Sequence, residues 1–126
     1  MAEYSDLTIL VVDDEELLRD SIAFDFRRQK FKTLLAESGT EALGIIRQQK
    51  IDLIISDLRM PDGDGVMLLE NIVAMEVDQP PVILSTGFSE ISEKELLAKG
   101  AKGLLVKPFD RKELKALALS VLSPPR

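Results

Sequence analysis

Apolar residues gather in five short runs along the chain: Thr8–Val12 (TILVV), Lys32–Ala36 (KTLLA), Leu53–Ser56 (LIIS), Pro81–Ser85 (PVILS) and Gly103–Val106 (GLLV). The first, third and fourth hardly alternate between apolar and polar, which predicts strands covered on both faces. A stretch with helical period follows each run. Between Glu15 and Gln29, Leu18, Ile22 and Phe26 recur every four residues. In Thr40–Gln49, Ala42, Ile45, Ile46 and Gln49 keep the i, i+3, i+4, i+7 spacing of one helix face. Leu69, Ile72 and Val73 mark a third helix, Leu96 and Leu97 a fourth, and Leu114, Leu117, Ala118 and Val121 a fifth.

Start and stop residues support these elements. Ser38-Gly39-Thr40-Glu41 has the form of a capping box, and Asp110-Arg111-Lys112-Glu113 is its Asp variant. Ser89 and Ser92 compete as the cap of the fourth helix, and Gly100 follows Lys99 as a helix-ending glycine. Strict alternation of strand and helix predicts an α/β fold with a parallel sheet and helices on both faces. Right-handed crossovers with one reversal give a flavodoxin-like (βα)5 arrangement with strand order 2-1-3-4-5. Ligands in such a sheet sit beyond the carboxyl ends of the strands, at the switch point between strands one and three.

The length of 126 residues suits one domain, expected over residues 1–122. Residues 123–126 (Ser-Pro-Pro-Arg) are expected to be a C-terminal tail or a linker stub. The 16 basic residues against 22 acidic ones give a net charge of −6, which argues against direct nucleic-acid binding. Cys and His both number 0, so thiolate or imidazole metal sites and histidine-based triads are excluded. No apolar run is long enough to span a bilayer, and the acidic start Met1–Asp6 is no signal peptide. These features predict a cytoplasmic protein.

The expected strand ends carry the chemistry. Strand one runs into Asp13-Asp14 and strand three into Asp57. Taken singly, these are helix-start acids and a turn-forming Asx. At the switch point they converge, and like charges in a partly desolvated crevice repel by several kcal/mol. Oxygen-only ligands favour a hard cation, and a few carboxylates with water and a phosphoryl oxygen suit Mg²⁺. Asp62-Gly63-Asp64-Gly65 lacks the spacing and the terminal Glu of a Ca²⁺ loop and reads as a turn into helix three. Strand four ends in Ser85-Thr86-Gly87, where a hydroxyl can donate to a phosphoryl oxygen and Gly87 leaves room. Strand five ends in Lys107-Pro108, a cation that can reach across the crevice followed by a turn-fixing proline compatible with a cis bond. Alone, Lys107 is a snorkelling surface residue. Together the ends present metal ligands, a carboxylate nucleophile, a hydroxyl and a cation, a full phosphoryl-transfer set.

On V-V-D-D-E at Val11–Glu15, S-D-L-R-M-P-D-G-D-G at Ser56–Gly65, S-T-G at Ser85–Gly87 and K-P-F at Lys107–Phe109, the chain resembles a response-regulator receiver domain of bacterial two-component signalling. The resemblance covers Leu7 to Leu122. It implies that Asp57 takes a phosphoryl group from the phosphohistidine of a histidine kinase or phosphotransfer protein. It implies Mg²⁺ bound by the side chains of Asp14 and Asp57 and the backbone carbonyl of Arg59, with Asp13 acting through water. Thr86 and Lys107 would engage the phosphoryl group, and the strand four–helix four–strand five face would switch contacts with a downstream protein or effector domain. Leu104 stands where the family usually has a Tyr or Phe, which puts ring-burial switching in doubt. Arg59 and Phe88 occupy positions that tune access of water in the family, implying a longer-lived phosphoryl state.

Other readings are weaker. An Asp-nucleophile phosphatase would need a second acid where Arg59 stands, and an FMN site would be repelled by Asp13–Glu16. A phosphorylation-independent module is disfavoured by the intact Asp13, Asp14, Asp57, Thr86 and Lys107. The expected chemistry is self-phosphorylation and dephosphorylation only, not turnover of a substrate. A homodimer through helix four, strand five and helix five stays open, as do a free-standing chain, a transcription-factor fragment or a hybrid-kinase receiver.

Overall fold

The computed structural model describes residues 4–76, 79–87 and 92–122. Phe88, Ser89 and the tail at 123–126 lie outside them, so the expectations on those residues have no structural counterpart. Strand β1 (Thr8–Val12) leads to α1 (Glu16–Arg28), and β2 (Lys32–Ala36) to α2 (Gly39–Gln48). Next come β3 (Leu53–Asp57) with α3 (Gly65–Val73), β4 (Val82–Thr86) with α4 (Glu93–Ala98), and β5 (Gly103–Val106) with α5 (Arg111–Leu122). All strand pairs are parallel and the order is β2-β1-β3-β4-β5, as expected.

The burial follows from that order. β3 and β4 are buried at every position and β1 at all but its first, whereas the edge strands β2 and β5 are partly open. Unalternating apolar runs are what two covered faces require. Leu10, Val12, Ile54 and Leu84 face one side and pack with Ala42 of α2, Leu68, Leu69 and Ile72 of α3 and Leu96 of α4. Ile9, Val11, Ile55 and Ile83 face the other and pack with Ile22, Ala23 and Phe26 of α1 and Leu114 and Ala118 of α5.

Local signals act much as read. Ser38 caps α2 by accepting from the Glu41 N–H at 3.1 Å, and Glu41 reaches back to the N–H of Glu37 rather than that of Ser38. Ser92 caps α4, accepting from the Glu95 N–H at 3.2 Å. Gly100 adopts φ +113, the left-handed conformation that glycine tolerates after a helix. Asp64 caps α3 through the Met67 N–H at 2.9 Å, so Asp62–Gly65 is the turn into α3.

Several expectations need correction. Val73 and Leu97 are 44% and 45% exposed, because α3 and α4 each present one narrow stripe that Ile72 and Leu96 already fill. Gln49 falls beyond the end of α2 and is exposed. Asp110 does not form a capping box with Glu113. Its carboxylate accepts from the Lys112 N–H at 2.8 Å, and the Glu113 N–H goes to the Asp110 carbonyl. β3 extends through Asp57, and β4 begins at Val82 and includes Thr86. A short 3-10 turn at Tyr4–Asp6, absent from the sequence reading, stacks Tyr4 on Phe31 with ring centroids 4.6 Å apart.

Candidate functional site

Register brings the strand ends together. Val12 pairs with Ser56, so Asp13 lies level with Asp57, and Asp57 itself pairs with Ser85. Thr86, one residue further, pairs with Val106, which sets Lys107 beside it. Main-chain bonds fix these ends: Asp13 N–H to Ala36 O at 3.1 Å, Leu58 N–H to Ser85 O at 2.7 Å and Lys107 N–H to Thr86 O at 2.7 Å. Gly65 is required by packing, since a Cβ there would stand 2.6 Å from the Asp57 carbonyl oxygen and 2.9 Å from Leu58 Cα. That close approach seats the first turn of α3 under the Asp57 loop, tied by Gly65 N–H to Leu58 O at 2.8 Å.

Asp13, Asp14 and Asp57 each offer a carboxylate oxygen, and these oxygens lie within 4.8 Å of one another. Asp13 and Asp57 are buried and Asp14 is exposed, so the cluster opens to solvent on the Asp14 side. The Lys107 ammonium sits 3.3 Å from each of Asp13 Oδ2, Asp57 Oδ2 and Glu15 Oε1. One positive charge thus faces three carboxylates, with Asp14 a fourth in the cluster. Burial raises the pKa of Asp13 above 3.8, against the Glu15 N–H and Lys107, which lower it. Burial also raises that of Asp57, and neighbouring Asp13 adds to the shift. Burial disfavours the Lys107 ammonium, but Asp57 and Asp13 outweigh it and hold its pKa above the usual 10.5. Oxygen-only donors with excess negative charge fit a hard divalent cation.

The remaining predicted residues surround this cluster. Thr86 is buried at the end of β4. Among the described residues nothing lies within 4 Å of where a Cβ on Gly87 would stand. The backbone N–H of Arg59 bonds to the Asp57 carboxylate. Lys107-Pro108 is a cis peptide. Leu104 is half-buried, packed against the core that holds Leu84 and Leu96, while Val106 of the same strand is 54% exposed.

Two residues of the site escaped the sequence reading. Glu15 has no role of its own in that reading, yet it shares Lys107; its place directly after the acidic pair is the one signal for it. Arg19, on the second turn of α1, donates from Nη1 to the Asp13 carbonyl oxygen at 2.9 Å. Nothing in the sequence marks that contact.

A family model described as "Response regulator receiver domain" matches residues 9–119. The regulatory protein AtoC of Escherichia coli is 36% identical over 115 residues, covering 90% of this chain and 25% of that protein. The transcriptional regulatory protein FixJ of Rhizobium meliloti is 32% identical over 107 residues, covering 84% of this chain and 52% of that protein. The chain therefore spans about a quarter to a half of these relatives' length. Among solved structures, the response regulator TrrA of Thermotoga maritima in complex with Mg²⁺-BeF superposes with a TM-score of 0.82 at 30% identity, covering 92% of this chain and 99% of that one. CheY of Borrelia burgdorferi, in a CheX-CheY-BeF3-Mg²⁺ complex, gives a TM-score of 0.85 at 30% identity, covering 94% of this chain and 90% of that one. No helix among the described residues is long and apolar enough to cross a membrane.

Proposed function

The chain belongs to the response regulator receiver domain family, and we propose that it accepts a phosphoryl group on Asp57 from the phosphohistidine of a histidine kinase or phosphotransfer protein. The observation that carries this reading is the placement of Lys107 Nζ 3.3 Å from Asp57 Oδ2, beside carboxylate oxygens of Asp13, Asp14 and Asp57 within 4.8 Å of one another. Asp13, Asp14, Asp57 and the main-chain carbonyl of Arg59 are the groups that would hold Mg²⁺. Bound there, the ion supplies positive charge to offset these carboxylates and the phosphoryl oxygens.

The chain's own groups do the rest. An ionised Asp57 oxygen attacks phosphorus, the P–N bond breaks, and its electron pair leaves with the donor imidazole. Lys107 exchanges a carboxylate partner for a phosphoryl oxygen, and the Thr86 hydroxyl donates to another. The phosphoryl group adds nearly two negative charges, which draws Thr86 and Lys107 inward and moves β4, α4 and β5. Leu97 and Val106, both about half exposed on that face, are the apolar contacts for a downstream protein, an effector domain or a second copy. Leu104 moves by repacking rather than by ring burial.

Intact mass after incubation with acetyl phosphate, with and without Mg²⁺, tests the assignment. One phosphoryl group is expected, dependent on Mg²⁺ and lost in Asp57→Asn. Labelling that persists in Asp57→Asn overturns it. Lys107→Ala is expected to retain some labelling while partner affinity no longer responds to phosphodonor.

A further inference from the structure

Among the described residues Asp13 is held at four points. Its N–H bonds to Ala36 O at 3.1 Å, its Oδ1 accepts from the Glu15 N–H at 2.9 Å, and its carbonyl oxygen accepts from Arg19 Nη1 at 2.9 Å. The fourth is Lys107 Nζ, which donates to Oδ2 at 3.3 Å; of the two side-chain holds, that of Arg19 is the one on the main chain. It spans six residues, from the second turn of α1 back over the turn that joins β1 to α1.

The rest of the Arg19 side chain makes no polar contact with the acidic cluster among the described residues. Its Nε is buried and has no hydrogen-bond partner among the described residues. A recess of about 280 Å³, lined by Arg19, Leu35, Ala36, Glu37 and Glu41, flanks the guanidinium on the β2 side. Among the described residues Arg19 makes no ion pair, and its bond to Asp13 goes to the main chain. Arg19 therefore takes up neither carboxylate of the Asp13-Asp14 pair.

We propose that Arg19 is a positioning residue for the acidic site: by donating to the Asp13 carbonyl it holds the β1–α1 turn so that Asp13 and Asp14 present their carboxylates together toward Asp57. This rests on the reading of that cluster as a Mg²⁺ site. Groups that orient metal ligands from behind commonly carry 10- to 100-fold of metal affinity.

The sign of the effect separates this role from simple electrostatics. Arg19 is a cation near a cation site, so removing its charge alone would tighten Mg²⁺ binding. Losing its hold on the turn would weaken it. Mg²⁺ dissociation constants measured by titration calorimetry on wild type, Arg19→Met and Arg19→Lys read this directly, with urea unfolding in EDTA as the control. Arg19→Met keeps the apolar stem and is expected to weaken binding about tenfold. Arg19→Lys keeps a donor that can reach the carbonyl and is expected to return affinity to within about threefold of wild type. Equal or tighter binding by Arg19→Met overturns the proposal. So does an Arg19→Lys variant as weak as Arg19→Met, which would assign the loss to packing. If Arg19→Met is too unstable to titrate, an Arg19→Lys variant with wild-type stability and about tenfold weaker binding also overturns it. Absence of Mg²⁺ binding by wild type rejects the site reading itself, and the positioning role with it.

Discussion

At the scale of single residues the site is an electrostatic compromise that works against stability. Asp13 and Asp57 have folded-state pKa values raised above 3.8, chiefly by burial. The folded chain therefore binds more protons than the unfolded chain as pH rises from 3.8 to these raised values, and stability falls across that window. Asp57→Asn should then raise the metal-free unfolding free energy at neutral pH, a gain that vanishes as pH approaches 3.8. Lys107 stays paired with Asp13 and Glu15 in that variant, so no buried charge is orphaned. Lys107 has the opposite sign. Its folded pKa exceeds 10.5, so its contribution is complete below that value and is lost only as pH climbs through the raised one. Lys107→Ala leaves Asp13 and Asp57 uncompensated and should destabilise the metal-free protein by about 3 kcal/mol. Urea melts of both variants in EDTA across pH check the two signs together. An Asp57→Asn variant less stable than wild type at pH 7 would contradict this account.

At the scale of elements, position is set by caps and by one close contact. Ser38 is buried and satisfies the Glu41 N–H, so Ser38→Ala should cost about 1 kcal/mol through α2. Gly65→Ala should cost more, roughly 1–3 kcal/mol, because its methyl meets the rigid backbone of Asp57 and Leu58 and not a flexible side-chain end. Equilibrium unfolding ranks the two. The second variant should also disturb phosphoryl acceptance, which Ser38→Ala should leave intact. Element type and order were legible because each strand is a short apolar run and each helix carries its own period. What faced solvent was less legible. Val73 and Leu97 adjoin true core residues in sequence, and period alone does not tell how wide a stripe the sheet can cover. Asp110 likewise offered a box pattern, but a carboxylate can satisfy the second N–H as well as the third, and here it takes that of Lys112.

At the scale of the whole molecule, Asp13, Asp14, Asp57, Thr86 and Lys107 could be placed from sequence because a parallel sheet of this order puts strand ends in register at one rim. Glu15 and Arg19 could not, since their contacts depend on side-chain reach across a helix start. That rim joins β1 and β3, two central strands whose partners are β2 and β4, so the candidate ligands belong to the part of the sheet that opens only with the entire chain. A cation held there binds the folded state and has no comparable site in the unfolded one. Mg²⁺ at 100 times its dissociation constant should therefore raise the unfolding free energy by about 2.7 kcal/mol, with an unchanged urea m-value. Hydrogen exchange should show the gain in β1, β3 and β4 together. In Asp57→Asn, already more stable without metal, the increment should shrink, so that Mg²⁺ narrows or inverts the stability order of the two proteins. If instead Mg²⁺ protected only the β1–α1 turn and left the global midpoint where it was, the ion would be bound by Asp14 and its exposed neighbours, and the buried pair of Asp13 and Asp57 would have no part in holding it.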